Sequence, residues 1–296
     1  MSTQIALLKK YGLPIRGHVG QHLLIDPNMQ HKIVQALDPQ AEEPILEIGP
    51  GLGALTLPLL QAGCRVWAIE KDARFVEILQ GELGTDYRKR LTILNGDVLE
   101  IPLDKWQGRS ERPWKVVSNL PYYITAPVLF HVLRYRRVFS KGIFMMQKEV
   151  AKRLVAMPGS KDYGRLTLAV RYAADVRHLF DVSPACFTPR PAVNSSVVEL
   201  SMHPESRIPS DVPEKMLFYL IKVAFGQRRK TLLSILAHDP HLKTDKNVLA
   251  DLFEKLGFKK TIRGEDLLLK DFLELSGAFT ADLACVDRLP DFAPFE

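Results

Sequence analysis

From residue 45 to residue 155, short apolar runs alternate with stretches of helical periodicity, and this alternation leaves the chain few folds. Runs at 45–48, 65–69, 91–94, 115–118 and 142–146 have the length and composition of buried strands. Residues 54–62, 72–83 and 147–155 carry apolar side chains at helical spacing, with Asp72 placed to cap the second of these helices. Met29, Ile33, Val34 and Leu37 add a helix over 27–37. Strands joined through helices pair in parallel, so the pattern predicts an α/β, Rossmann-like, doubly wound sheet. Residues 194–202 alternate like a late strand, and residues 1–20 read as irregular and basic. Pro204, Pro209 and Pro213 stand among polar residues and mark a linker. Helical patterns follow at 214–225, 228–237, 247–256 and 266–276. The expected division is an α/β domain over 1–205 and a smaller, mainly helical domain over 206–296.

The first strand runs into Glu47-Ile48-Gly49-Pro50-Gly51-Leu52-Gly53, and a helix opens behind it. Glycines there let the backbone turn tightly and approach a ligand closely. Glu70 closes the next strand, where a carboxylate can accept hydrogen bonds from both hydroxyls of a ribose. Asp97 lies just past the third strand and can accept from an adenine amine. An Asp in that place also serves as a turn or helix cap. Gly49, Gly51 and Ala54 satisfy the dinucleotide spacing as well. Three such features in register on successive strands favour an adenosine ligand. S-adenosylmethionine (SAM) fits them, its adenosine meeting Glu70 and Asp97 and its amino-acid end the loop of Gly49 and Gly51. The sheet expected is therefore that of a SAM-dependent methyltransferase.

The fourth strand leads into Asn119-Leu120-Pro121-Tyr122-Tyr123. The amine of adenine is a poor nucleophile, because its lone pair is delocalised into the ring. An Asn side-chain oxygen and a backbone carbonyl that both accept from this amine favour a more tetrahedral nitrogen with a localised lone pair. Pro121 fixes the backbone so that the Leu120 carbonyl points inward. Tyr122 offers a face for a flipped base, at roughly 1–3 kcal/mol of stacking. An isolated Asn-x-Pro-Tyr is more often a proline-centred turn with a buried tyrosine. Its position at a strand end, after the glycine loop and two spaced carboxylates, favours Asn119, Leu120, Pro121 and Tyr122 as a catalytic loop acting by alignment and electrostatics.

The chain has 296 residues and is 46% hydrophobic, enough to build one large core and a smaller one. Its net charge of +6 is unevenly spread. Residues 1–130 balance 14 basic against 14 acidic side chains, whereas 131–190 carry 12 against 4. A solvated basic face would give the same count, but a position just after the catalytic loop favours a polyanionic partner. Cys64, Cys186 and Cys285 lie far apart and form no Cys-x-x-Cys pair. They read as free thiols in a reducing cytoplasm, without disulfide or zinc. His238 and His241 lack a third ligand, so they read as loop and no metal is expected. No apolar run approaches the roughly 18 residues that span a bilayer, and no secretory leader is evident, so no membrane partner is expected.

Together these residues resemble the ribosomal RNA adenine N6,N6-dimethyltransferase family, over residues 20–275. Gly20-Gln21-His22-Leu23-Leu24 is similar to the family's Gly-Gln-Asn-Phe-Leu segment, and Glu47-Ile48-Gly49-Pro50-Gly51 to its SAM loop. Asn119 to Tyr122 match its catalytic motif. Phe187-Thr188-Pro189-Arg190-Pro191-Ala192-Val193, followed by Ser195, resembles its Phe-x-Pro-x-Pro-x-Val-x-Ser motif. Phe225-Gly226-Gln227-Arg228-Arg229-Lys230-Thr231-Leu232 resembles the opening of its C-terminal domain. The resemblance implies that His22, Leu24, Gly49, Gly51, Glu70, Asp97 and Asn119 contact SAM, and that Tyr122 and Phe187 sandwich the target adenine. It implies stepwise dimethylation of two adjacent adenosines near the 3′ end of 16S rRNA in the small ribosomal subunit, with a role in subunit biogenesis. It further implies a cytoplasmic monomer whose C-terminal domain recognises RNA. His22 and Leu23 depart from the family's Asn and Phe, and an imidazole, with its donor and acceptor on separate ring nitrogens, cannot supply the side-by-side pair of an amide. Three neighbouring readings are a 23S rRNA methyltransferase of the antibiotic-resistance type, a DNA adenine methylase, and an assembly factor. The Phe225 to Leu232 segment argues against the first, Leu120 before Pro121 against the second, and the third can coexist with catalysis.

Overall fold

The computed structural model describes residues 3–13, 22–106, 110, 112–205, 213–283 and 289–290. Gly20, Gln21, Cys285 and most of the expected linker lie outside them. The chain opens with helix α1 (Thr3–Lys10), where the sequence reads as irregular, and a short strand β1 (Leu23–Leu24). Then come α2 (Pro27–Leu37), β2 (Pro44–Ile48), α3 (Thr56–Gln61), β3 (Arg65–Glu70), α4 (Ala73–Tyr87), β4 (Leu91–Asn95), β5 (Trp114–Asn119), α5 (Thr125–Arg134) and β6 (Phe139–Gln147). After α6 (Lys148–Val155) and α7 (Arg165–Ala173) follow β7 (Ala174–Val182), β8 (Phe187–Thr188) and β9 (Ser195–Met202). Helices α8 (Glu214–Gly226), α9 (Leu232–Ala237), α10 (Lys246–Lys255) and α11 (Leu269–Leu283) follow among the described residues.

The main sheet has seven strands in the order β4-β3-β2-β5-β6-β9-β7. β4 to β6 run parallel, as expected, but β9 pairs antiparallel with both β6 and β7, so the sheet is mixed. β7 escapes a reading by alternation because its register shifts between His178 and Phe180, which breaks the period of two. β2 is buried along its whole length. From it the chain steps outward to β3 and β4, then returns to β5 on its other side. That reversal makes the β2/β5 junction a switch point, where open α/β sheets bind ligands beyond the carboxyl ends of their strands.

Local chemistry sets the element ends. Asp26 caps α2 by accepting from Met29 N at 2.9 Å, ahead of Pro27 in the first turn. Asp72 caps α4 as anticipated, accepting from Arg74 N at 3.0 Å. One core cluster unites Leu24, Ile33, Leu37, Ile45, Val117, Phe187 and Val197. A smaller cluster of Leu7, Leu23, Leu52, Phe75 and Ile78 pins α1 and β1 beside α4.

The chain forms two compact units, Met1–Ala151 with Ala174–Pro204, and Lys152–Ala173 with Glu205–Glu296. A single cut at 205 therefore misassigns residues 152–173. The reason is burial: α7 packs on α8 and α11, Tyr172 meets the Phe218 ring edge-on at 5.2 Å, and Tyr163 Oη donates to the Leu267 carbonyl at 2.7 Å. Arg228 braces this same unit, reaching Glu265 and the carbonyls of Lys161 and Tyr163. The basic excess of 131–190 is divided between the units. In the first, Lys141 and Arg177 pair with Glu199, and Lys148 pairs with Asp181. Among the described residues no helix is long and apolar enough to cross a membrane.

Candidate active site

Gly49, Gly51 and Gly53 follow β2 at φ values of +68°, +57° and +80°. A Cβ on Gly49 would meet no atom within 4 Å, so its left-handed backbone, rather than crowding, selects glycine. Gly49 N donates to the Ile69 carbonyl at 2.9 Å, which ties the loop to the end of β3. Glu70, the last residue of β3, is 8% exposed. Its Oε2 accepts from Gly51 N at 3.0 Å and its Oε1 from Asp72 N at 2.9 Å. Burial pushes this carboxyl above its ordinary range, and each oxygen retains a lone pair for a further donor. On β2, Glu47 is fully buried, accepts the Thr56 hydroxyl at 2.6 Å, and is pushed up to about 8 by burial. It fastens the start of α3 to β2.

Asp97 is both cap and wall. Its Oδ1 accepts from Leu99 N at 3.0 Å, closing the short turn after β4, and its Oδ2 accepts from Lys71 Nζ at 2.7 Å. The Lys71 ammonium holds it below the usual carboxylate range, so it stays an ionised acceptor. Asn95 Nδ2 and Gly96 N both donate to the Glu70 carbonyl at 2.9 Å, which locks the ends of β3 and β4 together. Glu70 and Asp97 line a cavity of about 490 Å³ with Ile48, Gly49, Ile69, Lys71, Val98, Pro121, Tyr123 and Ile124. That volume suits a nucleoside-sized ligand, between apolar walls and a few placed polar groups.

A smaller recess of about 100 Å³ shares Gly49, Glu70 and Pro121 with it, and adds His22, Leu23, Gly51, Phe75, Asn119, Leu120 and Tyr122. Asn119 Nδ2 donates to the His22 carbonyl at 3.2 Å. Its Oδ1 has no partner among the described residues. Leu120 N donates to the Met145 carbonyl at 3.0 Å, while the Leu120 carbonyl likewise has no partner among the described residues. Pro121 holds φ at −57° and ψ at 133°. The Tyr122 hydroxyl lies 2.8 Å from Ser195 Oγ on β9.

The side chains of two expected site residues line neither cavity. Leu24 is 1% exposed and Phe187 2% exposed, both within the main core. The pairing of β1 with β8 explains this, because Leu24 and Phe187 stand opposite each other in a two-stranded ribbon. Leu23 lines the recess instead. The ring near Tyr122 is that of His22, with centroids 5.4 Å apart and planes tilted by 32°. Lys71, Phe75, Tyr123 and Ile124 are further wall residues; only adjacency to Glu70 and Tyr122 hinted at two of them, Lys71 and Tyr123. Among the described residues, no cluster of three or more His, Cys, Asp or Glu could hold a metal.

Residues 13–256 match the family model described as ribosomal RNA adenine dimethylase. The chain is 40% identical over 275 residues to the ribosomal RNA small subunit methyltransferase A of Halothermothrix orenii, covering 91% of this chain and 90% of that one. It is 37% identical over 276 residues to the protein of the same name from Bacillus cytotoxicus, at 92% and 94% coverage. Among solved structures, a dimethyladenosine transferase from Plasmodium falciparum superposes with a TM-score of 0.77 at 26% identity, covering 87% of this chain and 97% of that one. The 23S rRNA methyltransferase ErmE shares the fold, with a TM-score of 0.65 at 20% identity over 90% of this chain and 99% of its own.

Proposed function

Because the chain belongs to the ribosomal RNA adenine dimethylase family, we propose that its cavity transfers methyl groups from SAM to N6 of adenosine in ribosomal RNA. The targets are two adjacent adenosines near the 3′ end of 16S rRNA in the small subunit or its precursor, and the protein acts as a cytoplasmic monomer with a role in subunit biogenesis. The residues present suit SAM. Glu70 offers acceptors to a ribose, Asp97 offers one to an adenine amine, and the open space beside Gly49 leaves room for the amino-acid end. SAM brings a methyl group already activated by its sulfonium charge. This chain's own residues bind, orient and exclude water.

The observation that carries the reading is the pair of open acceptors after β5, Asn119 Oδ1 and the Leu120 carbonyl, in a recess that shares Gly49, Glu70 and Pro121 with the nucleoside-sized cavity. Two acceptors on one amine draw its lone pair out of the ring and aim it for in-line attack, so catalysis is mainly alignment and electrostatics. Tyr122, anchored by Ser195, supplies the face on which an extruded base stacks. Phe187, expected as the second face of the base, is held on the β1–β8 ribbon opposite Leu24. The helical unit supplies contacts to the RNA.

The test is to incubate the protein with methyl-labelled SAM and, separately, unmethylated 30S subunits, 50S subunits and duplex DNA, then map the labelled base. Label on N6 of adjacent adenosines in 16S rRNA is expected. Label confined to 50S subunits or DNA would overturn the assignment.

A further inference from the structure

His22 is where this chain departs from the amide that its resemblance predicts, and the structure ties the imidazole in one orientation. Its Nδ1 lies 2.8 Å from the Pro189 carbonyl. A carbonyl only accepts, so Nδ1 carries the hydrogen and the neutral ring keeps its lone pair on Nε2. Nε2 has no partner among the described residues, and the ring lines the recess beside Asn119 and Tyr122.

The other polar groups of the recess have other roles in this reading, Glu70 keeping its remaining lone pairs for the ribose and Asn119 Oδ1 and the Leu120 carbonyl for the amine's hydrogens. Both Glu70 oxygens accept backbone N–H groups, and the Tyr122 hydroxyl is paired with Ser195. The Asn119 amide has no basic lone pair. We propose that His22 Nε2 accepts the proton that N6 of the target adenosine sheds as it is methylated, a third acceptor beside Asn119 Oδ1 and the Leu120 carbonyl. This rests on the adenine-methylating reading above.

The step balances. The bond from N6 to the methyl carbon forms as the methyl–sulfur bond breaks, and that electron pair stays on sulfur. N6 becomes cationic and passes one proton to Nε2, and the imidazolium returns it to solvent after the nucleotide leaves. The second methylation removes the remaining N6 proton in the same way. A ring protonated beforehand cannot accept, and it sets a positive charge beside the nitrogen that is becoming positive. Transfer therefore slows on the acid side. The titratable or charged groups around the ring are Glu70 at the end of β3, Tyr122 after β5, and exposed Arg190 beyond Pro189.

Two measurements test this. Long-range 15N correlation spectra of the protein without SAM should show the neutral His22 ring protonated at Nδ1 and bare at Nε2. Single-turnover methyl transfer to small subunits at saturating SAM should fall on the acid side in the wild type. In His22→Asn that fall should vanish, with the alkaline rate about tenfold lower. Glu70 and Tyr122 remain in the variant, so an unchanged acid fall in His22→Asn would overturn the proposal, as would a ring protonated at Nε2. If His22→Asn fails to fold, shown by its melting curve, the nitrogen spectrum decides alone. A wild type that labels no adenine at any pH would instead sink the underlying functional reading, whatever the tautomer.

Discussion

The cavity has two walls built in different ways. The β3–β4 wall, with Glu70 and Asp97, is local: each carboxylate accepts a backbone N–H two residues further on, from Asp72 and Leu99. The opposite wall is assembled from three distant stretches. His22 comes from the start of the chain, Asn119 to Tyr122 from the end of β5, and Ser195 and Pro189 from beyond β8. A locally held group tolerates change elsewhere. A wall made of three stretches stands or falls with the ribbon that joins them.

The sharpest break of this comparison is at Phe187. It lines neither of the two cavities described, yet it anchors in the core the ribbon that joins the second wall. Phe187→Ala should lose roughly 3–5 kcal/mol of stability, read from denaturant melts without RNA, because it leaves a large void in a packed core. Phe187→Leu should lose much less. If Phe187→Ala melts like the wild type while the KM for small subunits rises, the side chain stacks on the base and the placement in the core does not describe the working enzyme.

This asymmetry also explains what could be read from the chain alone. Gly49, Glu70, Asp97 and Asn119 could be picked out because each lies at a strand's end or within two residues of it, and strand ends in a parallel sheet converge by topology. Leu24 and Phe187 were expected at the ligand, and the burial of their side chains in the core depends on the β1–β8 register, a pairing across more than half the chain that no local pattern encodes. His22 was visible only as a departure from a motif, and its bond to Pro189 needs that same ribbon. β7 was lost to a bulge, and residues 152–173 were put in the first unit because the helix there is continuous in sequence with the α/β pattern yet packs on α8.

The next largest effect is expected at Asn119, the second wall's polar centre. Asn119→Ala removes the side-chain acceptor proposed for the amine and the donor to the His22 carbonyl. Methyl incorporation into small subunits should fall by about 10²–10³-fold or more, while SAM still binds in a calorimetric titration. Near-wild-type turnover would end the assignment of this loop as catalytic.

On the first wall, Glu70→Gln should separate binding from chemistry. Hydrogen bonds to a charged group contribute about 1.5–3 kcal/mol, so SAM affinity should weaken roughly tenfold to a hundredfold, with kcat at saturation little changed. Burial raises the Glu70 carboxyl, so its proton is taken up at a higher pH than an exposed glutamate's. Its ligand-accepting form is lost on the acid side, and SAM affinity should fall there in the wild type but not in Glu70→Gln. The stability of the empty protein has the opposite sign. A raised carboxyl favours folding while protonated, and that contribution is lost as pH rises through the raised value. A wild-type SAM affinity flat across the acid range would show that the ribose does not lean on this carboxylate.

The smallest effect is the most discriminating about how the second wall is held. Tyr122→Phe keeps the ring that would stack on the base and deletes only the bond to Ser195, whose hydroxyl is fully buried. The loss should be about 1 kcal/mol of stability, with a few-fold drop in kcat at most. Ser195→Ala should produce the same loss, and the double variant should be no worse than either single one, because both remove a single shared bond. A drop of tenfold or more in Tyr122→Phe that Ser195→Ala does not reproduce would mean that the hydroxyl itself meets the substrate. In that case the second wall would be chemical where Ser195 suggests it is structural, and the buried serine would be holding the phenol in reserve for the base rather than fixing the ring.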